Sequence, residues 1–113
     1  MRVKRGTTIK AKHNKIRKST KGMQAARRAS IKLGKQGATK ALQYAYRDRR
    51  NKKRDIRSLW ITRISAAAKA HEISYSKLIA GLKAKNISLD RKILAELAVN
   101  EPASFTAVVN AVK

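Results

Sequence analysis

Large apolar residues are unevenly placed along this chain. Up to Leu42 they stand alone among polar and charged neighbours (Val3, Ile9, Ile16, Met23, Ile31, Leu33 and Leu42), whereas from Ile56 onward they recur at helical spacing. The first pattern offers no continuous apolar face, so residues 1–20 read as an extended or loosely helical arm, with Gly22 as its break. Met23 to Leu33 (MQAARRASIKL) is rich in helix formers and runs into Gly34 and Gly37. Each glycine costs a helix interior about 1 kcal/mol relative to alanine, so a kink or short gap is expected there. Thr39 is then placed to cap a second helix reaching Ala70, which at 1.5 Å per residue would be about 48 Å long.

Within that helix Tyr44 to Arg57 is charged on every face, while Ile56, Trp60, Ile64 and Ala67 or Ala68 form an apolar stripe. Three short helices follow. Ser74 or Ser76 opens one that carries Leu78, Ile79 and Leu82, and Asn86 can close it. Ser88 or Asp90 opens the next, with Ile93, Leu94 and Leu97 on its apolar face. Pro102 suits the first position of a last helix, where its missing N–H is not needed, and Phe105, Val108, Val109 and Val112 follow. No strand is required. The expected fold is all-α: a long, kinked, basic N-terminal helical arm (residues 1–57) followed by a small compact C-terminal helical domain (residues 58–113). The core of that domain is expected to hold Trp60, Ile64, Leu78, Leu82, Ile93, Leu97, Phe105 and Val109. Its length, about 55 residues, is within the range that folds alone.

Charge sharpens this division. Of 113 residues, 29 are Lys or Arg and six are Asp or Glu, a formal net charge of +23. Residues 1–57 hold 21 basic and two acidic residues (+19), and residues 58–113 hold eight and four (+4). The partner is therefore a polyanion, and the arm cannot bury a core of its own. Along the predicted helix like charges meet at i,i+3 (Arg47/Arg50, Arg49/Lys52, Arg50/Lys53, Arg54/Arg57) and at i,i+4 (Arg49/Lys53, Arg50/Arg54, Lys53/Arg57). Such pairs oppose helix formation, a cost partly offset by the favourable Asp48/Lys52 pair. Nearby phosphates would remove the cost, so this stretch is expected to fray when free and to order when bound.

Several function classes fall on inventory. With no cysteine there is no disulfide, thiolate metal site or cysteine nucleophile. The acids are scattered and the two histidines, His13 and His71, lie in different halves, so no catalytic set, metal site or cofactor is expected and the chain is not read as an enzyme. His13 reads as one more polar donor near phosphate, and His71, ending the long helix, as a partner for its last carbonyls. Gly34 and Gly37 do not make a phosphate-cradling loop. No apolar run approaches the roughly 18 residues of a membrane span, and no apolar signal-peptide core follows the basic N-terminus, so no membrane role and a cytoplasmic location are expected. Lysines throughout the N-terminal stretch fit poorly with an organelle transit peptide, which makes an organellar setting the weaker reading.

The basic residues themselves are the candidate chemistry. Arg47, Arg49, Arg50, Lys52, Lys53, Arg54 and Arg57 surround a helix axis instead of forming one stripe. A helix basic on all sides suits a pocket in folded RNA, where it reads phosphates, stacking surfaces and groove shape. DNA in a groove meets mainly one face, and a membrane surface meets a basic amphipathic helix. A DNA-compacting protein would also ordinarily show dimerising elements, and no homo-oligomer is expected here. Arg27 and Arg28, in the Met23 to Leu33 segment, join the candidate RNA-binding set. Tyr44 and Tyr46 lie on different faces and could stack on unpaired bases or pack under the arm; Tyr44 is included in the set. Trp60, Tyr75 and Phe105 fall on or beside apolar stripes and read as core, with the Tyr75 phenol still within reach of RNA.

The string from Gln43 to Ala67, QYAYRDRRNKKRDIRSLWITRISAA, closely resembles the bacterial large-subunit ribosomal protein family numbered twenty. Arg2-Val3-Lys4-Arg5-Gly6 is similar to that family's opening and Lys21-Gly22 to its first break. Ile73-Ser74-Tyr75-Ser76-Lys77, Gly81-Leu82-Lys83 and Asp90-Arg91-Lys92 resemble its C-terminal domain. The resemblance implies a kinked basic helical arm threading into large-subunit ribosomal RNA, joined to a small helical domain on the RNA surface beside neighbouring ribosomal proteins. It also implies a role early in subunit assembly and, in a lineage-dependent way, repression of translation of the protein's own messenger. Carried over by position, Arg2, Lys4, Arg5, Lys10, Lys12, Lys15, Arg17, Lys18 and Lys21 would be phosphate contacts, as would the Arg47 to Arg57 cluster. Met23-Gln24 stands where the family usually has an aromatic pair, so a thioether is expected to fill that space with less base stacking.

Overall fold

The computed structural model describes residues 4–113. Among these residues the fold is all-α, with α1 (Gly6–Ser19), α2 (Ala26–Ala29), α3 (Ile31–Ala70), α4 (Tyr75–Ala84), α5 (Arg91–Asn100) and α6 (Pro102–Val112), and without a strand. Contacts divide the chain into two units, the first ending at Arg50 and the second comprising Asn51–Lys113.

In the first unit, the segment expected to be extended or loosely helical forms a regular helix, α1, with no buried residue. Arg17 and Lys18 in its last turn complement the negative end of the helix dipole. The helix closes at Thr20, whose amide and hydroxyl both donate to the Ile16 carbonyl, at 3.0 and 3.1 Å. Thr20 is buried. The chain turns at Gly22, whose φ of 84° lies in the left-handed region that glycine enters without strain.

The expected helix from Met23 to Leu33 is not formed. A single turn, α2, gives way to extended backbone at Ser30, and the long helix starts at Ile31, well before Thr39. Thr39 caps nothing: its hydroxyl donates back to the Lys35 carbonyl at 3.0 Å, inside the helix. Gly34 and Gly37, expected to stop a helix, lie within α3 because other parts of the unit approach them. A Cβ on Gly34 would sit 2.9 Å from the Arg27 carbonyl oxygen and 3.4 Å from Ile16 Cγ2. One on Gly37 would sit 3.4 Å from Met23 Sδ. The roughly 1 kcal/mol that each glycine costs the helix is offset by the close packing it permits.

In the second unit, every helix supplies the core: Ile64 and Ala68 from α3, Leu78 and Leu82 from α4, Leu94 and Ala95 from α5, Phe105 and Val109 from α6. Trp60 and Leu97 are half-buried against this cluster. Ile93, expected in the core, is 43% exposed. The inward positions of α5 are instead Leu94 and Ala95, a rotation of about 100°, or one residue. Each fully buried Leu, Ile, Val or Phe side chain contributes about 1.5–3 kcal/mol, which is how so short a chain offsets its ordering entropy.

The helix ends explain why the chain turns where it does. Ser74 Oγ accepts from the Lys77 amide at 3.3 Å and Asp90 Oδ1 from the Lys92 amide at 3.2 Å. Asn86, at φ 54°, ends α4 with the Ile87 amide donating to Leu82 and the Asn86 amide to Lys83. Glu72, at φ 61°, ends α3 in the same way through Ile73 and Ala68. In both motifs the residue that follows, Ile87 or Ile73, packs on the core. Pro102 opens α6. The His71 ring does not serve the carbonyls of its own helix. It lies against Phe105, with ring centroids 6.1 Å apart, and its Nε2 is 3.4 Å from Thr106 Oγ1.

Candidate nucleic-acid interface

The cationic side chains are placed by helices whose apolar residues are too few to draw them inward. In the first unit Lys10, Lys12, Lys15, Arg17 and Lys18 stand exposed on α1, Lys4 and Arg5 just before it, and Lys21 in the turn after it. Arg27 and Arg28 are exposed on α2. Arg2 lies outside the described residues. Lys32, Lys35 and Lys40 on α3 are equally exposed and were missed by the sequence reasoning, which placed a gap and a cap in that stretch.

The centre of α3 carries two exposed tyrosines, Tyr44 (46%) and Tyr46 (57%), and Tyr44 lines a groove with Met23 and Arg27. Lys40 Nζ lies 5.0 Å and Arg47 Cζ 4.7 Å from the Tyr44 ring centroid. Arg50 Cζ lies 5.1 Å and Arg49 Cζ 6.0 Å from that of Tyr46, and Arg50 Nη2 donates to the Tyr46 hydroxyl at 3.3 Å. Attraction between cation and ring holds each aromatic face beside a fixed positive charge. The i,i+3 and i,i+4 spacings of Tyr44 to Arg47, Lys40 to Tyr44 and Tyr46 to Arg50 make these pairs adjacent on the helix. Arg47, Arg49 and Arg50 leave the helix in three directions.

In the second unit Lys52, Lys53, Arg54 and Arg57 are exposed on α3, and the three consecutive ones are about 100° apart around the axis. Arg54 Nη1 donates to Asn51 Oδ1 at 3.1 Å. Farther along, Arg91 Nε donates to the Tyr75 hydroxyl at 2.9 Å, which engages the phenol expected to be within reach of RNA.

Among the described residues one ion pair occurs, Arg47 Nε to Asp48 Oδ1 at 2.8 Å. The hydrogen bond and charge of Asp48 raise the Arg47 pKa above its ordinary value. Among the described residues the other cations of this surface have no carboxylate partner. Exposed, uncompensated and directed around two helices, they can neutralise phosphates from several sides, and the tyrosine faces between them can meet bases. Among the described residues no group of three or more His, Cys, Asp or Glu side chains gathers to hold a metal ion, and no helix is long and apolar enough to cross a membrane.

Comparison with known proteins identifies the family of the chain. The family described as Ribosomal protein L20 matches residues 2–108. The chain is 56% identical over 108 residues to the large ribosomal subunit protein bL20 of Methylobacterium sp. (strain 4-46), covering 96% of this chain and 86% of that one. It is 54% identical over 112 residues to the bL20 protein of Methylibium petroleiphilum, covering 99% and 95%. With a bL20 protein of Methylobacterium radiotolerans it shares 53% identity over 112 residues, covering 99% and 90%. This chain belongs to the ribosomal protein L20 family and is a structural constituent of the ribosome.

Proposed function

We propose that the chain is a component of the large subunit of cytoplasmic ribosomes, that it binds the large ribosomal RNA directly, and that it supports early assembly of that subunit. The observation that carries this reading is the exposed, all-round basic surface of α3 between Lys40 and Arg57, with cation-flanked tyrosines and a single internal ion pair. The basic residues of α1 and α2 extend the same chemistry, and Arg2 belongs with them by position. We place the functional division at Arg57, with residues 1–57 acting as the RNA-penetrating arm and residues 58–113 as its anchor beside neighbouring proteins. Free-state fraying of the basic stretch, followed by ordering on phosphates, would let such an arm enter RNA before the RNA finishes folding around it.

The test is a competition at moderate salt. The purified chain is expected to prefer large-subunit ribosomal RNA over duplex DNA of equal length, and equal affinity would refute an RNA-directed surface. The same assay with the leader of its own messenger as competitor tests the finer reading, translational autorepression, which requires the leader to compete where an unrelated leader does not.

A further inference from the structure

We infer that the outer face of α5, where it meets the start of α6, docks a Lys/Arg-rich segment of another ribosomal protein and not RNA. The groove there is lined by Ile93, Glu96, Leu97, Asn100 and Glu101. It contains no Lys or Arg, although these make up 29 of the 113 residues, and it gathers two of the six acidic residues. Its apolar floor is the consequence of how α5 is turned. With Leu94 and Ala95 directed into the core, Ile93 is left 43% exposed beside the half-buried Leu97.

Both carboxylates have room for a partner. Glu101 accepts the Ser104 hydroxyl at 2.9 Å through one oxygen, Oε2. Glu96 makes no ion pair, even with Lys92 one turn away. A phosphate backbone would meet two negative charges and an apolar floor, both unfavourable to it. A cationic side chain with an apolar stem satisfies both features, its head at a carboxylate and its stem over Ile93 and Leu97. This inference rests on the ribosomal reading above and assigns the contact with a neighbouring protein to one face of α5, and its test separates that face from the RNA-facing surface of α3.

In cells expressing the full chain, a photoreactive p-benzoylphenylalanine replaces Asn100, which lines the groove, in one strain and Tyr46 in another. Large subunits are purified, irradiated, and the adducts sequenced. The Asn100 probe is expected to join a Lys/Arg-rich peptide of a different ribosomal protein. Adding Ile93→Ser and Glu96→Gln is expected to lower that yield at least fivefold while leaving the thermal melt of the chain unchanged. An adduct to RNA, an adduct to a second copy, no adduct, or a yield indifferent to the double substitution would each overturn the inference. The Tyr46 probe reports on the RNA reading independently, since it should join RNA whatever the Asn100 probe does.

Discussion

Gly81 provides a test in which two opposite effects of one methyl group can be measured separately. Alanine in a helix interior is favoured over glycine by about 1 kcal/mol, so Gly81→Ala should stabilise α4 if nothing else mattered. A Cβ at this position, however, would overlap Val112 Cγ1 on α6. Forcing a methyl into a packed contact costs about 1–3 kcal/mol, at the low end when the neighbour can shift, as a residue in the last turn of α6 can. The expected net effect is a destabilisation of about 0–2 kcal/mol. In a Val112→Ala background the obstruction is gone and the same substitution should stabilise by about 1 kcal/mol, raising the melting temperature by about 4–8 °C for a unit of this size. Thermal or denaturant unfolding of the four proteins, followed by circular dichroism, gives the coupling energy directly. It should be about 1–3 kcal/mol. Additivity within about 0.5 kcal/mol would refute the close approach of α4 and α6 as the reason for glycine.

The cap of α5 and one tyrosine face supply two further expectations. Asp90→Ala removes the acceptor for the Lys92 amide and should cost about 0.5–2 kcal/mol in denaturant unfolding, whereas Asp90→Asn should cost less than half of that. Tyr46→Ala should weaken binding to large-subunit RNA by about 1–3 kcal/mol, read as roughly 5- to 150-fold by filter binding, while Tyr46→Phe, which keeps the ring, should bind within about twofold of the parent.

Much of the second unit was legible because its signals are local. Ser74, Asp90, Asn86 and Pro102 each act on amides or carbonyls within a few residues, so composition and spacing suffice to place them. Gly34 and Gly37 were misread because their role is tertiary: the sequence shows a helix cost at each, while the compensating neighbours, Ile16, Met23 and Arg27, lie far enough back in the chain to be invisible in a local window. The error at Ile93 has another cause. Ile93, Leu94 and Leu97 all fit an apolar stripe, and only packing against α3, α4 and α6 selects Leu94 with Ala95. An alanine carries too weak a hydropathy signal to mark a core position. For the candidate interface, the charge of the Arg47 to Arg57 stretch was evident from composition, and the i,i+3 and i,i+4 spacing of Lys40, Arg47 and Arg50 to the two tyrosines lay within the predicted helix, but that these cations turn toward the tyrosine faces depends on side-chain rotamers that spacing alone does not specify.

The central claim, that exposed cations around α3 neutralise phosphates of folded ribosomal RNA, is tested most directly by the salt dependence of binding. Log affinity for large-subunit RNA against log salt concentration should be linear, with a slope of about −0.7 to −0.9 per phosphate neutralised. Arg49→Gln, Arg50→Gln and Lys53→Gln in one protein remove three exposed cations, Arg49 and Lys53 from one face of the helix and Arg50 from about 100° round its axis, and the account predicts that the slope becomes shallower by about 2–3. A slope unchanged from the parent, with the same affinity, would contradict it.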